Sequence, residues 1–318
     1  MNPEARLPLQ QVQSRRALLL GAVGGAAALT AAGQSVSAAQ QPRKLVLVAG
    51  APSHPTLMHE FRAGCLLLQK CLRGVPGLET TLHTGGWPDD PRAFDRADAV
   101  FLYMDGGGNH PAIQGDRLQV LEGLARRGAG LGFAHYALEV PAEKAGRQWQ
   151  EWVGGHYEHL YSVNPMWEPE IKALPEHPIT RGVKPFRVKD EWYFNMRFRP
   201  ELRGITPILT AVPSDAVRRG PYVYPAGPYD HIVAASGREE LLLWAVERPD
   251  GGRGFGFTGG HGHLNWGDPS YRKLVLNALV WLTKLPVPRQ GVESTVTRAE
   301  LYQNLDDKPN RPTDPPEE

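Results

Sequence analysis

GLGFAHYALEVP, residues 130–141, is a short apolar run that stops at a histidine. A continuous apolar run bounded by glycine or proline reads as a strand buried on both faces of a parallel sheet. Three other stretches repeat this design: LVLVAGAPSHPTLMH at 45–59, VFLYMDGGGNH at 100–110 and GFGFTGGHGH at 254–263. In open α/β sheets, ligands lie just beyond the carboxyl ends of such strands. His54, His59, His110, His135, His261 and His263, out of 11 histidines in the chain, are therefore expected to converge on one crevice.

The surrounding sequence has the rhythm of an α/β domain. Strands are expected at 44–49, 78–83, 99–104 and 130–134, with helical apolar spacing over 57–72 and 115–127. Such alternation predicts a mostly parallel sheet joined by right-handed crossovers, with helices on both faces. After Pro141, proline- and aromatic-rich segments (157–169, 221–229) separate short strands at 190–194 and 205–212. The segments 241–247 and 254–258 around Pro249-Asp250-Gly251-Gly252 read as a hairpin, and 271–284 as a closing helix. The tail, 291–318, with its Pro, Asp and Glu, is expected to pack partly across the surface and end disordered.

Residues 1–38 read as a twin-arginine export signal. Ser14-Arg15-Arg16 precedes a Gly/Ala-rich apolar stretch, and Val36-Ser37-Ala38 suits cleavage before Ala39. The protein is thus expected outside the cytoplasm, periplasmic or extracellular. No later segment approaches the roughly 20 apolar residues that span a bilayer. The net charge of +1 falls to about −1 without the leader, which points away from nucleic acid and from a polybasic membrane contact. Cys65 and Cys71 lie on one expected helix, about 9 Å apart at roughly 1.5 Å per residue, too far to bridge.

Four motifs, taken in order, are similar to the trehalose-utilisation ThuA-like family, in particular its exported branch. They are GLGFAHYALEVP, HPITRGVKPF (177–186), DEWYFNMRF (190–198) and GGRGFGFTGGHGHLNWGDPSYRKLVLNALVWL (251–282). The likeness spans most of 44–290. It implies a class I glutamine amidotransferase-like fold, a flavodoxin-like three-layer sandwich, as one domain over 39–290. It also implies a role in sugar metabolism, often beside oxidoreductases that make 3-keto-glycosides, so a sugar oxidoreductase is the expected pathway partner. In the amidotransferases the turn after the fourth strand presents a nucleophilic cysteine, whereas this chain presents His135 there. Imidazole cannot form the thioester, which argues against glutamine hydrolysis.

Several histidines with a carboxylate suit a catalytic metal that keeps an open position. Spacing selects His59, His135 and His261 as ligands of a divalent transition metal, zinc or manganese; the resemblance adds Glu191, as fourth ligand or as base. His135, Glu191 and His261 are the expected catalytic residues. His54, Asp105, Gly107, His110, Trp192, His263 and Trp266 are the expected substrate contacts. Gly106-Gly107-Gly108 lacks the GxGxxG spacing of a nucleotide fold and reads as a flexible loop, so no nucleotide cofactor is expected.

Plainer readings compete. His54 before Pro55 is ordinary turn punctuation, and His59 can stack on an aromatic ring. His263 alternates with His261 and so faces the other way. Asp190, beside Glu191, suits a salt bridge or cap. Trp192 and Trp266, flanked by polar residues, serve as sugar platforms or merely roof a core. Three function classes remain: a metal-dependent enzyme acting on a keto-sugar or related glycoside, with lyase, hydrolase and isomerase outcomes open; a non-catalytic carbohydrate-binding accessory protein; and a metal-dependent hydrolase of an unrelated ester or amide.

Overall fold

The apolar runs become the centre of a sheet, and their direction in the chain fixes where the site is built. The structure is a computed structural model and describes residues 41–312. The expected leader over 1–38 and the last residues of the tail lie outside the described residues.

Seven strands form the main sheet: β1 (Arg43–Ala49), β2 (Leu78–His83), β3 (Ala99–Tyr103), β4 (Gly130–Ala134), β5 (Ile205–Ala211), β6 (Glu240–Glu247) and β7 (Arg253–Phe257). Their spatial order is β5-β6-β7-β4-β3-β1-β2. The run β2-β1-β3-β4-β7 is parallel, the order of a flavodoxin-like open sheet, and β6 and β5 extend it antiparallel. The expected hairpin is therefore β6–β7, with β7 returning to the parallel core.

Strand alternation sends successive side chains to opposite faces. Leu45, Leu47, Phe101, Tyr103, Phe255 and Phe257 pack with α1 (Phe61–Leu72) and α4, the closing helix (Pro269–Leu282). Val46, Val48, Val100, Leu102, Leu131 and Phe133 pack with α2 (Arg117–Arg126) and α3 (Arg147–Val153). The result is the expected three-layer α/β sandwich.

Where elements depart from expectation, local chemistry explains it. The first helix begins at Phe61 rather than at 57, because Leu57 and His59 hold φ of 66° and 49°, outside the right-handed helix. The strand expected over 190–194 is only Asp190–Glu191, paired with Met166–Trp167; beyond it the Trp192 carbonyl accepts from the Trp167 indole at 2.9 Å. The closing helix starts at Pro269, where Asp268 caps Ser270 N and Tyr271 N at 2.9 and 2.8 Å. Cys65 and Cys71 are free thiols.

The tail does more than cross the surface. Val292, Leu301 and Leu305 are buried, and Lys308 Nζ reaches inward to the Met58 carbonyl (2.7 Å) and to Glu60 (3.2 Å). Among the described residues no helix is long and apolar enough to cross a membrane.

Candidate active site

The carboxyl ends of β1, β3, β4 and β7 deliver the loops of the site, and each supplies a polar group. After β1, the loop over 53–60 lies against the loop after β7: His59 N donates to the His261 carbonyl (3.0 Å) and His263 N to the Leu57 carbonyl (2.9 Å). That zipper places the His59 and His261 rings side by side. His135 follows β4 directly, with φ of 54°. A non-glycine residue in this region is held there at some cost by its surroundings, as at an elbow that pushes a side chain out of a sheet.

Asp190 shapes the fourth wall. Its buried carboxylate accepts from Gly260 N (2.8 Å), Gly262 N (3.0 Å) and the Tyr271 hydroxyl (2.6 Å), so it holds the loop that presents His261. Gly260 sits at φ of 114°, a conformation that a side chain would strain. With Asp190 turned to that loop, strand alternation turns Glu191 to the crevice.

Four ligand atoms meet there, from buried His59, His135, Glu191 and His261, all within 4.8 Å of one another. His59 Nε2 lies 2.9 Å from His261 Nδ1 and 3.1 Å from His135 Nε2. Glu191 Oε2 lies 2.6 Å from His261 Nδ1 and 3.4 Å from His135 Nε2. The outer nitrogens decide what the inner ones carry. The Thr258 carbonyl can only accept, so His135 Nδ1 holds a hydrogen and donates to it at 3.0 Å. His59 Nδ1 donates likewise to Asp105 Oδ1 at 3.2 Å. In the neutral rings both Nε2 lone pairs then face each other, which is unfavourable unless a proton or a cation lies between them. Atoms bound to zinc at about 2.0–2.1 Å sit roughly 3.3 Å apart. The 3.1 and 3.4 Å separations match that while the 2.6 and 2.9 Å ones are hydrogen-bond lengths, so the set could close on a metal by small movements, with outer partners orienting two of its imidazoles.

Burial and mutual charge set the state of the four groups. Burial, then the neighbouring imidazoles, push His59 well below the usual histidine range, leaving it neutral near pH 7. Burial works to raise Glu191, but hydrogen bonds from His135 and His261 outweigh it and hold the carboxyl at about 2. Burial opposes and Glu191 favours the charged form of His135, and the carboxylate wins, raising it. Asn164 Nδ2 donates to Glu191 Oε1 at 2.7 Å. His59, Glu191 and His261 floor a cavity of about 730 Å³, with His135 buried beneath them, and its walls include His54, Gly107, Tyr136, Glu139, Tyr193 and Tyr224.

Comparison with known proteins identifies this framework. The family model described as ThuA, trehalose utilisation, matches residues 91–282. The chain belongs to the ThuA family. The matched span holds Asp105, His135, Glu191 and His261, while His54 and His59 come from ahead of it. Two solved ThuA-like structures share the fold. A putative ThuA-like protein from Bacteroides uniformis is 15% identical, covers 79% of this chain and 95% of its own, and superimposes with a TM-score of 0.53. One from Parabacteroides merdae is 17% identical, covers 81% and 94%, and has a TM-score of 0.50. No curated protein matches the chain significantly.

Within this ThuA-family fold, four of the six expected histidines gather: His54, His59, His135 and His261. His54 stacks on His59 with ring centres 3.6 Å apart and stands at the cavity wall, 3.7 Å from Asp105. Two histidines do not join them. His110 is buried as a cap of the following turn: its Nδ1 accepts from Ala112 N (3.0 Å) and its Nε2 donates to the Ala137 carbonyl (3.1 Å), so neither nitrogen is left for a substrate. His263 is buried on the opposite side of the loop from His261, in the field of Glu60 and Lys308. The expected tryptophan platforms are core residues. The Trp192 indole donates to the Val188 carbonyl (2.9 Å) beside Phe257 and Tyr271, and Trp266 lies edge-on to Tyr103 and Tyr271.

Several site groups carry little or no signal in the sequence. Tyr193, whose hydroxyl lies 3.2 Å from His135 Nε2, follows Trp192 in DEWYF and is masked by it. Glu139 ends the GLGFAHYALE stretch, in which His135 is the conspicuous residue. Asn164 and Tyr224 come from the aromatic, proline-rich segments and carry no local signal. Tyr224 is 71% exposed and is an aromatic surface that a sugar can reach.

Proposed function

We propose that the protein is an exported, metal-dependent enzyme acting on a keto-sugar or 3-keto-glycoside, with zinc or manganese held by His59, His135, His261 and Glu191. The observation that carries this reading is the inward set of three imidazole nitrogens and one carboxylate oxygen, all buried and within 4.8 Å of one another, with the His59 and His135 Nε2 atoms 3.1 Å apart. When bound, a divalent ion supplies Lewis acidity to a carbonyl oxygen and so acidifies the neighbouring C–H.

The chain's own residues do the rest. Asp105 and the Thr258 carbonyl hold the His59 and His135 tautomers that point Nε2 inward. Glu191 suits a ligand better than a base: Asn164 occupies Oε1, and Oε2 faces His135 and His261. Tyr136, Tyr193 and Tyr224 give apolar faces for sugar C–H groups, and Asn164 and His159 add polar edges to the cavity. The export assignment rests on the Arg15-Arg16 leader, and the keto-sugar on the family's tie to trehalose utilisation.

The test is elemental analysis of untagged protein, with hydrogen exchange in deuterated water. Wild type is expected to carry close to one transition metal per chain and to exchange the α-hydrogen of a 3-keto-glucoside. His135→Ala is expected to lose most of the metal and the exchange while keeping its circular dichroism spectrum. Sugar binding without exchange would leave a carbohydrate-binding accessory protein. Equal metal content in the variant would remove His135 from the ligand set.

A further inference from the structure

Glu139 is a second carboxylate of the cavity, and it has none of the engagements that occupy Glu191. It lines the cavity wall, and among the described residues no hydrogen bond or ion pair reaches its carboxylate. Its backbone is fixed from both sides. Gly107 N donates to the Glu139 carbonyl at 2.9 Å, and Glu139 bridges to Tyr157. Gly106 has no room for a Cβ, because the Tyr136 and Glu139 carbonyls stand where it would go. The side chain is thus carried by a rigid segment into open space, four residues beyond His135.

We infer that Glu139 is the catalytic acid–base of this site, the residue that takes the proton from the sugar carbon next to the ketone and gives it back. The inference rests on the keto-sugar reading above. A general base needs an oxygen free to meet the substrate, and Glu139 has two where Glu191 has none to spare. Burial raises the Glu139 carboxyl to about 7, with the Glu191 charge adding to the rise and His135 opposing it. The other titratable groups that face it, Tyr136, Tyr157 and Tyr193, are phenols that burial keeps protonated. Two carboxylates pushed apart in this way divide the labour: one stays charged, and the other exchanges its proton near neutrality.

The step balances without a redox partner. The C–H bond breaks, an O–H bond forms on the Glu139 carboxyl, and the electron pair leaves the carbon as the ketone becomes an enolate. Return of the proton to the same carbon restores the ketone; return to a departing glycosidic oxygen completes an elimination instead.

The experiment compares wild type with Glu139→Gln and Glu139→Asp on methyl 3-keto-glucoside in deuterated water, with metal content and sugar affinity measured on each. Glu139→Gln is expected to lose roughly a hundredfold or more in α-hydrogen exchange with metal content unchanged, and Glu139→Asp to recover part of it. Exchange by Glu139→Gln at the wild-type rate overturns the inference while leaving the keto-sugar reading in place. Absence of exchange in wild type removes the keto-sugar reading and this inference with it. In ¹³C-glutamate-labelled protein, the resonance missing from Glu139→Gln supports the assignment if it titrates above pH 6, and overturns it if it titrates as an ordinary carboxylate.

Discussion

Replacing Asp190 by asparagine tests how the loop that carries His261 is held. On Oδ2 the carboxylate accepts from Gly260 N at 2.8 Å and the Tyr271 hydroxyl at 2.6 Å; on Oδ1 it accepts from Gly262 N and Glu191 N, each at 3.0 Å. Asparagine can keep the Oδ1 pair, but its NH₂ then replaces Oδ2. Tyr271 can turn its hydroxyl to accept, whereas the Gly260 N–H is left facing another donor. A hydrogen bond to a charged group contributes about 1.5–3 kcal/mol, and a buried donor without a partner costs about 1–3 kcal/mol. One such bond lost, its donor stranded and the others weakened give about 3–5 kcal/mol, a large share of the roughly 5–15 kcal/mol that holds a domain folded. At about 2–4 °C per kcal/mol, Tm of the metal-free protein is expected to fall by about 6–20 °C. Because the same loop positions His261, zinc affinity is expected to weaken about 10- to 100-fold. Thermal unfolding followed by circular dichroism gives the first number and a competitive zinc titration the second. A Tm within about 3 °C of wild type together with unchanged zinc affinity would refute the claim that Asp190 fixes this loop.

Burial holds His110 at about 4, against a usual value of 6.5, and its Nδ1 already accepts from Ala112 N. The folded value lies below the unfolded one, so its contribution is complete above about pH 6.5 and is lost as pH falls toward 4, at about 1.4 kcal/mol per pH unit. Urea unfolding at pH 7, 5.5 and 4.5 is expected to show a flatter dependence in His110→Gln, and parallel curves would rule the residue out. Lys308→Met would leave the Glu60 carboxylate, 0% exposed, without its buried cation, a loss of about 3–5 kcal/mol. Amide exchange across 53–60 is expected to quicken in that variant, because Lys308 also binds the Met58 carbonyl; unchanged exchange would mean that the tail does not secure the His59 loop.

A strand buried on both faces must be apolar throughout, so β1, β3, β4 and β7 are legible as runs, whereas β2 (LETTLH), half-buried at the sheet edge, offers only Leu78 and Leu82. The direction of a parallel strand then dictates which end its following loop occupies, and that alone brings His59, His135 and His261 to one edge of the sheet. Glu191 is reached only through the family resemblance, because a two-residue strand has no periodicity to read. Which way each loop side chain faces is decided by tertiary contacts. His110 and His135 both follow strand ends, yet His110, with φ of −49°, folds back to cap a turn, and His135, with φ of 54°, projects into the crevice. Trp192 and Trp266 look exposed beside polar neighbours, but adjacent residues point to different sides, so a neighbour's polarity says little about a tryptophan's own surroundings. Glu139 and Lys308 depend wholly on what packs over them: the Gly106–Gly107 turn for one and the His59 loop for the other. Burial of a charge is set by contacts between residues far apart in the chain, and local sequence holds no record of them.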